Sequence, residues 1–388
     1  MHGYIDRAIE TELKKKMENS PVVAILGPRQ CGKTTLVKKI ISKISSIYLD
    51  LQKRSDLNKL NEPEIFLEKY RGKLVCLDEI QLKPDFFSYL RSEIDEDRRN
   101  GRFLILGSAS RDLIKQSSES LAGRISYLDL TPFLFDEVKG EFDWQTLLLR
   151  GGFPNSLLVK NDEISFVWRE DFIRTFLERD IPSLGFMIPS SVMSKLWRLL
   201  SHYHGQTINH SKIANAVDIS QQTLRKYLAI LEDTYMIRLL QPYEANLKKR
   251  IVKSPKVYIR DCGILHALQS IESFDQLLSH PLIGASWEGF AIENLIAKYP
   301  RYNPYFLKTS NGAEVDLILE KAGQLIIFEF KISKAPKPSR GFFKIIEDLS
   351  IGDNISYVIA PVDESYEYKK NVWVTNLDEI DKLYKKRN

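Results

Sequence analysis

Short apolar runs alternate with charged, helix-favouring segments over the first 130 residues. The segments between the runs carry apolar residues at helical spacing, as in Thr34 to Ile41. Strands that alternate with helices predict a parallel sheet with crossover helices, so the expected fold class is α/β. The apolar runs have the length of buried strands and lie at 22–26, 47–50, 74–77, 103–106 and 125–130.

The pattern changes after residue 150. A mostly helical stretch comes first and is bracketed at its end by Pro182 and Pro189. Three helical segments follow, and then a helix from Ser286 to Tyr299 precedes three apolar strands. The predicted division is an α/β core at 1–150, a helical lid or connector at 151–189, a winged-helix domain at 190–245 and a second α/β domain at 246–388.

The first apolar run leads into a sequence that matches G-x-x-x-x-G-K-[ST] at every fixed position. A glycine-rich turn between a strand and a helix surrounds a polyphosphate with backbone N–H groups, and the helix N-terminus favours the negative charge. Lys33 would contact the β- and γ-phosphates, and the Thr34 hydroxyl would be a Mg²⁺ ligand. The expected cofactors are therefore ATP and Mg²⁺. The predicted nucleotide-binding residues are Gly27, Pro28, Arg29, Gln30, Cys31, Gly32, Lys33, Thr34 and Thr35.

Two carboxylates follow the third apolar run. Asp78 and Glu79 would lie at the carboxyl edge of the sheet, where open α/β sheets bind their ligands. We expect Asp78 to hold Mg²⁺ through water and Glu79 to polarise the attacking water. An apolar run that ends in Asp-Glu is a weak signal alone, but the phosphate loop upstream makes it strong.

Two further residues are candidates for the same site. Ser108 follows the fourth run and could contact the γ-phosphate or the water, whereas a helix N-cap at Ser110 is the alternative role for this turn. Arg124 precedes the fifth run and could act as an arginine finger on the nucleotide of a neighbouring copy of the chain. Arg29 and Arg111 compete for that role, and an ordinary surface position is equally open.

The third helix of the predicted winged helix has two distinct faces. Its apolar residues recur at i, i+3, i+4 and i+7, so four polar residues face outward. Such a face suits a DNA major groove, with the cations on phosphate or guanine and the glutamines on adenine. A packing module between domains is the alternative. The predicted DNA-binding residues are Gln221, Gln222, Arg225 and Lys226.

The last domain carries acids on a helix and on two strands. Alternation along the strand that ends at Lys331 places this lysine and Glu329 on one face. A helix acid, a strand Asp and Glu-x-Lys together resemble the PD-(D/E)xK nuclease pattern, although no proline precedes Asp316. The resemblance implies Mg²⁺ on Asp316, Glu329 and Glu288, with Lys331 orienting water and Glu293 as the alternative helix acid. A half-buried ion pair is the structural alternative.

Composition and charge restrict the class of protein but do not indicate a function. The chain has 388 residues, a net charge of +5 and a pI near 8.8, which permits a nucleic-acid partner without requiring one. No apolar run approaches the ~20 residues of a membrane span, so we expect a cytoplasmic protein without a membrane partner. Three widely spaced cysteines indicate neither disulfides nor a zinc finger.

Several motifs together resemble the AAA-type P-loop ATPases of archaea and bacteria that carry a C-terminal domain of unassigned function. The resemblance covers nearly the whole chain and implies nucleotide binding. The motifs that carry it are the phosphate loop at 27–34, Asp78-Glu79-Ile80-Gln81, Gly107-Ser108, Ser120 to Arg124, Gly151 to Pro154, Arg179-Asp180-Ile181 and Lys253 to Tyr258.

These expectations combine into one leading hypothesis and one alternative. The first is an ATPase that couples hydrolysis to action on DNA through a winged helix and a nuclease-like domain. The alternative is a nucleotide-dependent switch whose C-terminal domain binds DNA or protein without cleavage. The candidate partners are therefore DNA, another protein and further copies of the chain. Transfer of phosphate to a small molecule is disfavoured because no acceptor motif accompanies the phosphate loop.

Overall fold

The computed structural model describes residues 3–108, 120–244, 251–349 and 356–385. The chain forms two compact units. The first comprises Met1–Phe133 with Asp233–Tyr235, and the second comprises Leu134–Glu232 with Met236–Asn388. The first unit ends before the boundary predicted at residue 150. Within the described ranges, no helix is both long enough and apolar enough to cross a membrane.

Five parallel strands form the sheet of the first unit within its described residues, in the order β2-β3-β4-β1-β5. The interior strand β1 lies between β4 and β5, and all six of its residues are buried. The predicted parallel α/β sheet is thus confirmed. The strands are β1 Val22–Gly27, β2 Ser46–Asp50, β3 Leu74–Asp78, β4 Phe103–Ser108 and β5 Ile125–Asp129, and the helices are α1 Glu10–Asn19, α2 Lys33–Ile41, α3 Arg54–Leu57, α4 Pro63–Lys69 and α5 Phe86–Glu96.

The second unit begins with short helices that pack around a buried arginine. Arg169 donates from Nη1 to the carbonyl oxygens of Leu149 and Gly263, each at 3.0 Å. Asp261 accepts from the backbone N–H of Gly152 at 2.8 Å, so part of the glycine motif at 151–154 has a structural role. The helices are α6 Phe135–Val138, α7 Trp144–Arg150, α8 Pro154–Leu157, α9 Asp162–Thr175, which continues as a π-helix Phe176–Asp180, and α10 Ile181–Ser183.

A three-helix region with a small antiparallel sheet follows. Leu224, Leu228 and Leu231 on the third helix are buried, as the spacing predicts. The four outward positions of that helix, at 221, 222, 225 and 226, are exposed. The elements are α11 Ser190–His202, β6 Gln206–Thr207, α12 His210–Val217, α13 Gln221–Asp233, β7 Ile237–Pro242 and β8 Lys256–Ile259, and the strands pair in the order β7-β8-β6.

The C-terminal part continues the same sheet. Strand β9 pairs parallel to β7, β9 to β11 are antiparallel, and β12 returns parallel to β11 after helix α17. Val315, Ile327 and Phe342 contribute to the core between this sheet and α17. The elements are α14 Cys262–Leu268, α15 Phe274–Ser279, α16 Ile283–Lys298, β9 Asn303–Lys308, β10 Glu314–Lys321, β11 Gln324–Phe330, α17 Arg340–Asp348, β12 Ser356–Ile359, β13 Tyr366–Lys369, β14 Val372–Thr375 and α18 Ile380–Lys385.

Candidate functional site

The phosphate loop joins the carboxyl end of β1 to the first turn of α2. Gly27 is required there because a Cβ atom would lie 2.1 Å from the Leu130 carbonyl oxygen. Lys33 is buried, and its Nζ donates to the carbonyl oxygens of Gly27 and Pro28 at 2.9 and 2.7 Å. The ammonium is therefore held on the inner side of the loop that the sequence predicts to bind phosphate.

Asp78 lies beside this loop at the end of β3. Its Oδ2 accepts a hydrogen bond from the Thr34 hydroxyl at 2.7 Å and another from the Tyr48 hydroxyl. Its Oδ1 accepts from the backbone N–H of Glu79 at 3.0 Å. Burial, followed by the hydrogen bond to Asp78, raises the pKa of Tyr48 well above its usual value. The parallel sheet has thus brought together Thr34 and Asp78, two residues 44 positions apart.

Glu79 has an unusual backbone conformation. Its φ of 56° and ψ of 44° lie in the left-handed region, which costs a non-glycine residue free energy. The Gln81 side-chain amide donates to the Glu79 carboxylate and fixes its orientation. Glu79 directly follows Asp78 in the chain, and its role on the attacking water stays a prediction.

Arg7 supports the phosphate loop from the N-terminal segment. Its Nη1 donates to the Cys31 carbonyl oxygen at 3.0 Å, and its Nη2 donates to that of Thr131 at 2.6 Å. The side chain is buried and lies over the Phe133 ring. Arg7 thereby connects the loop to the segment after β5, and the sequence motifs gave no indication of this contact.

The two remaining candidates of the first unit have different outcomes. Strand β4 ends at Ser108, whose side chain lies outside the described residues, as do Ser110 and Arg111. Arg124 pairs with Asp95, from Nε at 2.7 Å. Because Arg124 precedes β5, it lies at the amino edge of the parallel sheet, roughly 17–20 Å from the phosphate loop. A finger role in a neighbouring copy therefore stays a prediction.

The helix acid Glu288 belongs to a charged cluster. Its Oε1 accepts from Lys256 Nζ at 2.9 Å and from the Tyr258 hydroxyl. The same Nζ lies 2.6 Å from Glu314 Oε1, and only 2% of the Lys256 side chain is exposed. Burial alone would lower the pKa of Lys256, but the charge of Glu288 holds this pKa well above its usual value. Burial and the same charge raise the pKa of Asp316.

Glu293 lies in a different cluster. Arg238 donates to both of its carboxylate oxygens, and Arg260 Nε donates to Oε2 at 2.9 Å. Burial opposes the ionised form, yet the charges of the two arginines lower the pKa of Glu293 to about 2. The structure therefore does not bring Glu293 to the predicted nuclease residues, because two cations from the β7–β8 region hold it.

Glu329 and Lys331 lie on one face of their strand, as the alternation predicts. Lys331 Nζ is 2.9 Å from Glu329 Oε1, and both carboxylate oxygens of the buried Glu329 accept from the Ser339 N–H at 3.0 Å. Asp316 Oδ2 accepts from the Phe330 N–H at 2.9 Å. In the described part of the chain, no three acids, histidines or cysteines form a group able to hold a metal ion. Metal binding by these residues stays a prediction.

Three residues important for the two sites were missed by sequence reasoning. Tyr48 lies on a predicted strand. Parallel pairing of that strand with β3 could have indicated its role, since it brings residue 48 beside residues 76 and 78. The sequence indicated the roles of Arg7 and Lys256 less clearly. Each is a charged residue next to apolar positions, and the neighbouring residues do not indicate which group it contacts.

Three family models match consecutive parts of the chain. Residues 19–139 match the AAA domain family, while 141–275 and 283–380 match domains of unknown function, DUF8612 and DUF4143. The Walker-type ATPase PABY2304 of Pyrococcus abyssi, a solved structure, is 16% identical and covers 69% of this chain and 96% of its own, with a TM-score of 0.48.

Two mycobacterial proteins are similar over almost the entire chain. They are the uncharacterized proteins Rv2008c of Mycobacterium tuberculosis and Mb2031c of Mycobacterium bovis. Each is 40% identical over 374 residues, which are 96% of this chain and 84% of the relative. The chain therefore belongs to the family of these two proteins, and its N-terminal part is an AAA-type P-loop domain.

Proposed function

We propose that the first unit binds ATP with Mg²⁺ and hydrolyses it. The observation that carries the proposal is the convergence of Lys33, Thr34, Asp78 and Glu79 at one edge of the parallel sheet. The hydroxyl and carboxylate oxygens of Thr34 and Asp78, 2.7 Å apart, are the hard ligands that Mg²⁺ prefers, so the residues fit the ion. Bound Mg²⁺ would neutralise charge on the phosphates.

The chain's own residues define the remaining chemistry. Lys33 would exchange its two loop carbonyls for phosphate oxygens, and backbone N–H groups of the loop would surround the β-phosphate. Glu79 would accept a proton from a water aligned with the γ-phosphorus. The new bond joins the water oxygen to that phosphorus, the bond to the bridging oxygen breaks, and ADP and phosphate leave.

Steady-state ATP turnover tests this assignment. Wild type should release phosphate in Mg²⁺ without any added acceptor, which would also exclude small-molecule phosphoryl transfer. Glu79→Gln should bind ATP and turn it over slowly, whereas Lys33→Ala should lose binding. Unchanged turnover in both variants would overturn the proposal.

For the second unit we propose a winged helix joined to a nuclease-like fold that binds DNA without cutting it. The order helix, strand, two helices and two strands in α11 to β8 supports the winged helix. The order α16, β9 to β11, α17 and β12, with β12 parallel to β11, supports the nuclease-like fold. The buried Lys256 ammonium against Glu288 favours the non-cleaving switch over the nuclease, because it supplies the positive charge that this acid needs.

A DNA assay separates the two readings of the C-terminal domain. Wild type is incubated with duplex and single-stranded DNA, ATP and Mg²⁺, while turnover and DNA integrity are followed together. ATP-dependent DNA binding with intact DNA supports the switch. Cutting that disappears in Lys331→Ala overturns it and restores the nuclease hypothesis. The switch would also be overturned if DNA did not change the rate of ATP turnover and ATP did not change DNA binding.

A further inference from the structure

The nucleotide site contains a tyrosine whose role the phosphate-loop motifs do not define. Tyr48 extends from β2 toward Asp78 on the neighbouring strand β3, and its hydroxyl donates to Asp78 Oδ2. The Lys38 ammonium of α2 lies 5.2 Å from the centre of the Tyr48 ring, so the ring is held between two charged groups. The side chain is half-buried rather than exposed.

Tyr48 and Thr34 share one acceptor. Both hydroxyls donate to Asp78 Oδ2, whereas Oδ1 accepts the Glu79 N–H. A hydroxyl has one proton to donate and two oxygen lone pairs, so Thr34 can ligate Mg²⁺ through a lone pair and still donate to Asp78 Oδ2. The Tyr48 hydroxyl is the second side-chain donor on that oxygen, and it comes from β2, whereas Thr34 belongs to α2. Its hydrogen bond therefore restrains the Asp78 carboxylate independently of Thr34.

We propose that Tyr48 is a positioning residue of the nucleotide site. Its hydroxyl holds the Asp78 carboxylate in the orientation in which Oδ2 also accepts from Thr34, the predicted Mg²⁺ ligand. This inference rests on the proposed ATPase function and defines how its cation is received. The Tyr48 hydroxyl is neutral and leaves the negative charge of Asp78 available for the cation. Partners of this kind commonly change metal affinity or activity by about 10- to 100-fold when they are removed.

The test is Tyr48→Phe in the full chain, which deletes one hydroxyl and keeps the ring. The probe is a fluorescent ADP analogue, titrated in EDTA and in a series of Mg²⁺ concentrations. We expect unchanged affinity in EDTA and a loss of roughly tenfold in the gain that Mg²⁺ gives, with a matching fall in ATP turnover. Thermal melting should stay within about a degree or two of wild type, because no packing is lost.

The matched control is Tyr89→Phe, since Tyr89 packs partly buried against the core of the same unit. It should behave as wild type in every titration. Equal Mg²⁺ dependence in Tyr48→Phe and wild type would overturn the inference, as would an equal loss of affinity in EDTA, which would indicate a structural role. If wild type itself binds the analogue without any response to Mg²⁺ and hydrolyses no ATP, the proposed function fails first.

Discussion

Asp78 in the first unit and Glu288 in the second are both acids that accept a hydrogen bond from a tyrosine hydroxyl, yet their other partners differ. Asp78 accepts hydrogen bonds from two hydroxyls and a backbone N–H, all of them neutral donors. Glu288 accepts from a hydroxyl and from the ammonium of Lys256. Neutral donors orient a carboxylate and preserve its charge for a cation, whereas an ammonium neutralises that charge within the protein.

The comparison predicts that chemistry depends on the first site alone. In Glu79→Gln the amide cannot accept the proton of the water, so kcat for ATP should fall by about 10²–10⁴-fold with nucleotide affinity kept. Glu288→Gln, the matched change in the second unit, should leave kcat within about twofold. Phosphate release under saturating ATP measures both. Equal losses in the two variants would break the distinction between the sites.

The second prediction concerns the buried ammonium. Lys256→Met should leave Glu288 and Glu314 without their shared counter-charge and lower the free energy of unfolding by about 3–5 kcal/mol. Lys331→Met is the control, since Lys331 also pairs with a buried acid but its own side chain is 34% exposed. We expect it to cost about 1 kcal/mol. Denaturant unfolding compares the two, and similar losses would contradict the ranking.

The two regions also differ in how much of their structure could be predicted from the sequence. The parallel sheet, the phosphate loop and Asp78 follow from contiguous motifs and from the rule that strand ends meet at one edge. The outward face at 221, 222, 225 and 226 and the shared face of Glu329 and Lys331 follow from periodicity. Periodicity assigns a residue to a face of its own element, and these assignments need no knowledge of other segments.

The partners of the C-terminal acids could not be predicted in this way. Lys256 meets Glu288 from 32 positions away, and Arg238 meets Glu293 from 55. Both cations come from the β7–β8 region, which pairs with β9 and so extends the C-terminal sheet. The boundary predicted at residue 246 separates β7 from α16, and neither Lys256 nor Arg260 carries a local signal that pairs it with an acid of α16. The local motif therefore grouped Glu293 with acids whose partners differ from its own, whereas the charge of Glu288 does act on Asp316.

The third prediction tests the arginine pair through pH. The lowered pKa of Glu293 means that its stabilising contribution is present above the unfolded-state value near 4.5 and is lost as the pH falls toward 2. Glu293→Gln should therefore lower the free energy of unfolding by about 3 kcal/mol at pH 7, and by progressively less below pH 4. Glu163→Gln, an exposed acid on α9, is the control and should cost little at any pH. A cost for Glu293→Gln that is independent of pH would contradict this account.

The smallest expected effect concerns the exposed face of α13. If Arg225 contacts a phosphate of duplex DNA, Arg225→Ala should weaken binding by about 1 kcal/mol and lower the slope of log affinity against log salt by about one. Lys195→Ala removes an equal charge from the exposed side of α11 and is the control. Fluorescence anisotropy at several salt concentrations measures both. Because simple charge loss affects the two variants alike, an effect confined to Arg225 would assign DNA contact to α13, and equal effects would favour the packing role.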